Sequence, residues 1–264
     1  MARANRHYLP GRVWHVTHRC HKKEFLLKFA RDRRRYLQWV FEARKRYGLS
    51  VLSYAVTCNH VHLLVRDKGH RGDVIPKSIQ LIAGRTGQEF NKRKNRKGAY
   101  WEDRYHATAI EAGKHLVQCL VYIDLNMVRA GVVGHPSEWG FCGYNEILAP
   151  RRRYALIDYD GLRSLLNFDS MDDLAAAYRG WIEESVGGGN NLRDGKWTES
   201  VAVGSEAFVT ATKEALGDKG EGRAVIGGDG SYELRESPAA YKGILGHESA
   251  VLRPQNDYFW ENTD

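Results

Sequence analysis

Two histidines interrupt a run that is otherwise apolar: Asn59-His60 leads into Val61-His62-Leu63-Leu64-Val65. A segment apolar on both faces belongs in the middle of a sheet rather than at its edge. Successive side chains of a strand point to opposite faces, so His60 and His62 share one face, close enough to share one divalent ion or one phosphate. A pair of this kind is usually structural or exposed, although imidazole is a common metal ligand. Here the pair sits within a buried strand, where an unpartnered polar group is costly, and that favours a functional role.

The surrounding pattern predicts a small sheet with helices. Val13-Trp14-His15-Val16-Thr17 follows the turn signal Pro10-Gly11 and is rich in β-branched and aromatic residues, so it reads as a first strand. Over residues 32–46 and just beyond, Tyr36, Leu37, Val40, Phe41 and Tyr47 recur at helical spacing, and Gly48 supplies a stop. Residues 49–65 hold a strand pair or one long bent strand. A second helix is expected over 77–91, with Ile79, Ile82, Ala83, Thr86 and Phe90 inward, then a strand over 105–111. A third helix is expected over 114–130, closed by Gly131. This order implies an α+β domain of ferredoxin-like type, an antiparallel sheet with helices packed on one face.

On the third helix, Leu116, Leu120, Ile123 and Met127 form an apolar stripe. A second stripe is polar: His115, Gln118, Tyr122, Asn126 and Arg129 fall within a sector of about 80°. Such a stripe is often only a solvated surface. Flanked by Val117, Val121, Val128 and Leu125, it reads instead as the lining of a cleft, with Tyr122 and Asn126 side by side at i and i+4. A phenol with a pKa of about 10 is a poor nucleophile, and a phosphodiester is shielded by its own charge. Attack by Tyr122 therefore calls for close positioning and a divalent cation, which His60, His62 and the Asn126 carbonyl can hold.

Charge divides the chain. The net charge is +8. It is the sum of a strongly cationic stretch, residues 1–150, and an acidic stretch, residues 151–264, and ten of the eleven histidines fall in the first. The four cysteines are scattered singly, with no C-x-x-C pair, which argues for reduced thiols and against a cysteine-based zinc site. No stretch is long and apolar enough to span a bilayer, so no membrane association is expected. The N-terminus has no apolar segment of the secretory kind, and a cytoplasmic, nucleoid-associated protein is expected. Residues 151–264 match no motif. They carry a helix over 171–185, a Gly-rich acidic stretch, and an aromatic tail over 237–264, and they suit either a cover that restrains the active site or a surface that recruits a partner.

Four ordered blocks make the first part resemble the REP-associated tyrosine transposases, a branch of the HUH-type single-tyrosine transposases acting on single-stranded DNA. They are Trp14-His15-Val16-Thr17-His18-Arg19, Asn59-His60-Val61-His62-Leu63-Leu64, Gly98-Ala99-Tyr100-Trp101-Glu102-Asp103-Arg104-Tyr105, and Tyr122-Ile123-Asp124-Leu125-Asn126-Met127-Val128-Arg129-Ala130-Gly131. The resemblance implies that His60 and His62 are metal ligands for Mg²⁺ or Mn²⁺, Tyr122 the nucleophile that forms a 5′-phosphotyrosine, and Asn126 the third ligand. It also implies a hairpin DNA with a single-stranded flank, handled by a monomer or a homodimer. The chain has Thr57-Cys58 where that family usually has Met-Pro, and Met127 where it has proline; without proline the third helix should continue more regularly through this point.

Expected DNA contacts are the run Lys92, Arg93, Lys94, Arg96 and Lys97 with the aromatics Tyr100 and Trp101, an N-terminal arm of Arg3, Arg6 and Arg12, and Arg104 and Arg129. Two other readings compete with nicking and joining. His15-Val16-Thr17 is an H-x-T of the kind found in metal-independent RNA-end phosphodiesterases, although the second motif here is H-x-H. A hairpin-binding protein that no longer cuts is the third reading, but such a protein would have lost a ligand or the nucleophile.

Overall fold

The computed structural model describes residues 9–68, 72–188, 193–228 and 230–236. Its first part is built from β1 (Val13–Arg19), α1 (Ala30–Tyr47), β2 (Ser50–Val56), β3 (His60–Arg66), α2 (Val74–Lys94) and β4 (His106–Ile110). All pairings among these strands are antiparallel, in the order β2-β3-β1-β4, which is the ferredoxin-like arrangement expected from the sequence. The histidine-bearing strand β3 lies between β2 and β1, as its apolar character requires.

Helix ends follow local chemistry. In α1 the last turn carries Arg44, Lys45 and Arg46 against the negative end of the helix, and Gly48 takes a left-handed conformation (φ 75°) so that its N–H closes on the Arg44 carbonyl. Helix α2 starts three residues before the sequence-based start at 77 and takes in Pro76. Proline fits there because first-turn N–H groups have no intrahelical partner. It also extends past 91, so Lys92, Arg93 and Lys94 form its last turn, favoured by the helix dipole.

The two faces of the sheet have different work. On one, α1 and α2 pack side by side; His18 of β1 stacks on Trp101, whose ring meets Tyr36 of α1 and whose Nε1 donates to the Ala83 carbonyl of α2. On the other lies α3 (Lys114–Asp124), against β2 and β4. The expected continuous third helix is corrected here. Leu125 leaves helical geometry (ψ 3°), and a separate short turn, α4 (Asn126–Arg129), follows despite the absence of proline.

The chain continues through α5 (Tyr144–Leu148), α6 (Tyr159–Leu165), α7 (Met171–Gly187), α8 (Lys196–Glu199), β5 (Ala202–Gly204), α9 (Glu206–Ala215), α10 (Asp218–Glu221), β6 (Arg223–Gly228) and β7 (Ser231–Glu236). The change of composition near residue 150 is not a break in the sheet. Strand β5 pairs parallel to β4, and β7 and β6 follow, giving one sheet of seven strands, including a hairpin in a stretch that the sequence reading left irregular. Buried Glu146 ties the crossing point, accepting from the N–H groups of Leu156 (2.6 Å) and Ile157 (2.8 Å) and from the Tyr54 hydroxyl (3.0 Å). Helix α7 buries Leu174, Tyr178 and Ile182, and the Tyr178 hydroxyl donates to Asp124 of α3. Residues 237–264, Arg3 and Arg6 lie outside the described residues. Among the described residues no helix is long and apolar enough to cross a membrane.

Candidate active site

Antiparallel register places Thr17 opposite His62 and Arg19 opposite His60, and on the other side of β1, Thr108 of β4 opposite His15 and His106 opposite Thr17. His15, His60, His62, His106 and Thr108 therefore share the face that α3 covers. The rings of His60 and His62 are 5.0 Å apart, and the Tyr122 ring lies 6.0 Å from His62 and 6.1 Å from His15. Tyr122 is 7% exposed; burial raises its phenol pKa, opposed first by Arg129 and then by Arg193. The Arg129 guanidinium lies 4.2 Å over the Tyr122 ring and donates to the Tyr122 carbonyl.

Hydrogen-bond direction assigns the tautomers. His60 Nδ1 is 2.7 Å from Asn59 Oδ1, a pure acceptor, and 3.0 Å from Thr57 Oγ1, whose own proton goes to the His60 carbonyl. His60 is thus protonated on Nδ1, leaving a lone pair on Nε2. Thr57, one of the two departures before the histidine pair, helps to hold it. His15 Nδ1 is 2.8 Å from the Trp197 carbonyl and must donate, so His15 Nε2 accepts across 2.9 Å from His62 Nδ1–H. His62 Nε2 then also carries a lone pair, 3.0 Å from the Asn126 amide. Burial keeps these rings neutral, pushing His15 down to about 3, His60 to about 4 and His62 well below its ordinary value.

Two neutral imidazoles with free Nε2 atoms beside an amide form a donor set that suits a divalent cation, the amide oxygen being the harder ligand. The Asn126 nitrogen now nearest His62 exchanges with its oxygen on rotation of the amide, so the fit is chemically sound. Among the described residues there is no group of three His, Cys, Asp or Glu side chains that could hold a metal ion, so a cation here would rely on this amide as its third protein ligand.

A cleft of about 720 Å³ opens over the site, lined by His60, His62, Tyr122 and Asn126 and by Arg19, Arg104, Arg129 and Arg193. A second cleft of about 690 Å³, between α3, α7 and residues 193–197, shares Tyr122, Arg129 and Arg193 with it. The tyrosine thus lines both clefts. Sequence reading did not find Arg19, Arg193 or Trp197, and it took His15 as half of a different motif. The parity of His15 and His62 about a shared ladder is the signal that would have joined them.

The other expected contacts lie elsewhere. Lys92, Arg93, Lys94, Arg96 and Lys97 sit at the end of α2 and beyond, outside the cleft; Arg93 is tied to Asp32, and Arg96 pairs with Glu24 at 3.4 Å. Tyr100 is 4% exposed and packs against Phe90, while Trp101 is stacked on His18. The run therefore offers exposed cations rather than open rings. Arg12 lies 4.4 Å over the Phe208 ring of α9, part of the later chain, rather than in a free arm.

No curated protein matches the chain. Among solved structures it is similar to a REP-associated tyrosine transposase bound to a REP hairpin, at 20% identity over 57% of this chain and 87% of that one, with a TM-score of 0.48. It is also similar to a protein assigned as a transposase from Deinococcus radiodurans R1, at 17% identity over 46% of this chain and 95% of that one, with a TM-score of 0.32. Residues 12–126, which hold both histidines, the tyrosine and the asparagine, match the family described as "Transposase IS200 like", and this part of the chain is homologous to that family.

Proposed function

We propose that the chain nicks and rejoins single-stranded DNA beside a hairpin through a covalent bond to Tyr122. The observation that carries this reading is the joint placement of Tyr122 and two Nδ1-protonated histidines whose free Nε2 atoms lie near Asn126. Tyr122 Oη attacks phosphorus, an O–P bond forms, and the P–O3′ bond breaks. The phenol proton is lost to water and the 3′ oxygen takes one up, leaving a 3′-hydroxyl and a 5′-phosphotyrosine. One phosphoester has replaced another, so attack by a 3′-hydroxyl reverses the step and joins strands.

His60, His62 and Asn126 would hold Mg²⁺ or Mn²⁺, which supplies Lewis-acid polarisation of a non-bridging phosphate oxygen. Arg129, over the phenol ring, favours the phenolate and neutralises charge developing at phosphorus. Arg19, Arg104 and Arg193 along the cleft suit the backbone of a single strand, and the second cleft beyond Tyr122 gives that strand a way out. The hairpin as substrate rests on the sequence blocks shared with the REP-associated branch.

The phosphodiesterase alternative is disfavoured by His15, which is fully buried with both ring nitrogens engaged, so it cannot reach a substrate. The test uses hairpin DNA with a single-stranded flank, labelled at either end. Wild type with Mn²⁺ should carry the 3′ label into a denaturation-resistant adduct and release the 5′ label as a free fragment. Tyr122→Phe and EDTA should each abolish both products. Cleavage that persists in EDTA would instead favour the phosphodiesterase, and binding without cleavage would favour the non-cutting protein.

A further inference from the structure

We propose that His15 is a positioning residue for His62, and that the chain after residue 150 completes the site by anchoring it through the Trp197 carbonyl. The inference rests on the cation-binding reading of His60, His62 and Asn126.

The relay has one direction. A carbonyl oxygen only accepts, so the 2.8 Å contact between Trp197 O and His15 Nδ1 puts a proton on Nδ1. Neutral His15 then offers only a lone pair at Nε2, and the 2.9 Å contact puts a proton on His62 Nδ1. The lone pair of His62 is left on Nε2, on the side of Asn126 and the cleft. The opposite tautomer would bury an unpartnered lone pair beside another lone pair and turn an N–H toward the cation site.

The rings fix orientation as well as protonation. The His15 and His62 rings lie edge to edge, with centroids 5.1 Å apart and planes 14° from parallel, and both are almost wholly buried. The carbonyl at the far end is itself held. Trp197 is 2% exposed, the Thr108 hydroxyl lies 3.2 Å from its oxygen and 2.7 Å from that of Ser200, and His106 Nε2 lies 3.0 Å from Ser200 O. Residues 196–200 therefore form a strap across the β1 and β4 side of the site. Partners of this kind, on the far nitrogen of a ligating histidine, typically contribute a factor of about 10 to 100 in metal affinity.

The test reads tautomers in the full-length, metal-free protein by long-range ¹H–¹⁵N NMR of the histidine rings, with Mn²⁺ binding followed separately by electron paramagnetic resonance. His62 and His15 should both appear as Nδ1–H tautomers in wild type. In His15→Phe, His62 should lose its single tautomer and Mn²⁺ should bind about 10- to 100-fold more weakly. In His15→Gln, whose side-chain oxygen can accept from His62 Nδ1–H, the tautomer should persist and Mn²⁺ affinity should stay within a few-fold of wild type.

An Nε2–H tautomer of His62 in wild type overturns the inference, as does a folded His15→Phe that binds Mn²⁺ as tightly as wild type. Should His15→Phe fail to fold, a switched His62 tautomer in His15→Gln overturns it equally. Wild type with the expected tautomers but no Mn²⁺ binding supports the relay and sinks the cation-binding reading, so the two failures are distinguishable.

Discussion

The cationic stretch up to residue 150 and the acidic stretch after it differ in what they give the site. The first supplies every side chain to which the proposed reaction gives a role at the phosphate: His60, His62, Tyr122, Asn126 and Arg129, all lining one cleft. The second contributes Arg193 to the rim but acts mainly through main chain, with the carbonyls of Trp197 and Ser200 meeting His15, Thr108 and His106. Opposite charge therefore does not mark a separate unit. It separates the part proposed to meet a polyanion from the part that packs behind it and extends its sheet.

The largest effect should come from Trp197→Ala. Removal of a buried tryptophan costs about 3–5 kcal/mol. If the later chain is integral, urea unfolding should remain a single transition at lower midpoint, with Mn²⁺ affinity lowered as well. An unchanged midpoint for the first part would show that the later chain is only an appendage.

Acid should act next, and on the first part. His15 and His60 have folded-state pKa values of about 3 and about 4 against 6.5 unfolded. The unfolded chain therefore binds more protons between those values and 6.5. Their contribution is complete above pH 6.5 and is lost as pH falls toward 4, on the order of 3 kcal/mol for His60. Denaturation of the metal-free protein from pH 7.5 to 4.5 should show this slope, and a flat profile would contradict the buried neutral histidines.

Tyr178→Phe sharpens the contact between the parts. It removes the hydroxyl that donates to Asp124, a carboxyl that burial pushes up to about 7. A loss of about 1–3 kcal/mol is expected in thermal melts, with adduct formation unchanged at a temperature where the protein is folded. The smallest effect is expected from Lys92→Ala with Lys94→Ala, on the exposed end of α2. DNA affinity should fall modestly, and the salt dependence should lose a slope of about 1 for each phosphate contact removed.

Much of the first part was legible in the sequence because its signals are local. Apolar spacing marks α1 and α2, the doubly apolar strand marks the centre of the sheet, and Tyr122 and Asn126 are one helical turn apart. The relay from His62 to His15 was not legible, because it depends on the register of two strands 47 residues apart. The Trp197 carbonyl has no side-chain signature at all. The hairpin of β6 and β7 was hidden for another reason: Gly227, Gly228 and Gly230 crowd its turn, and Leu234 is the one fully buried hydrophobic side chain among its described residues. The expected helix over 114–130 shows the limit of periodicity, since spacing continues through Leu125 while the backbone turns there.

A covalent bond from Tyr122 Oη to DNA, formed beside a histidine-held cation, is the core of the proposed function. It is tested most directly by digesting the denatured adduct with nuclease and protease and sequencing the modified peptide by mass spectrometry. A 5′-phosphonucleotide on Tyr122 is the expected result, and a nucleotide on any other residue, or DNA cleaved with no modified peptide, would contradict it.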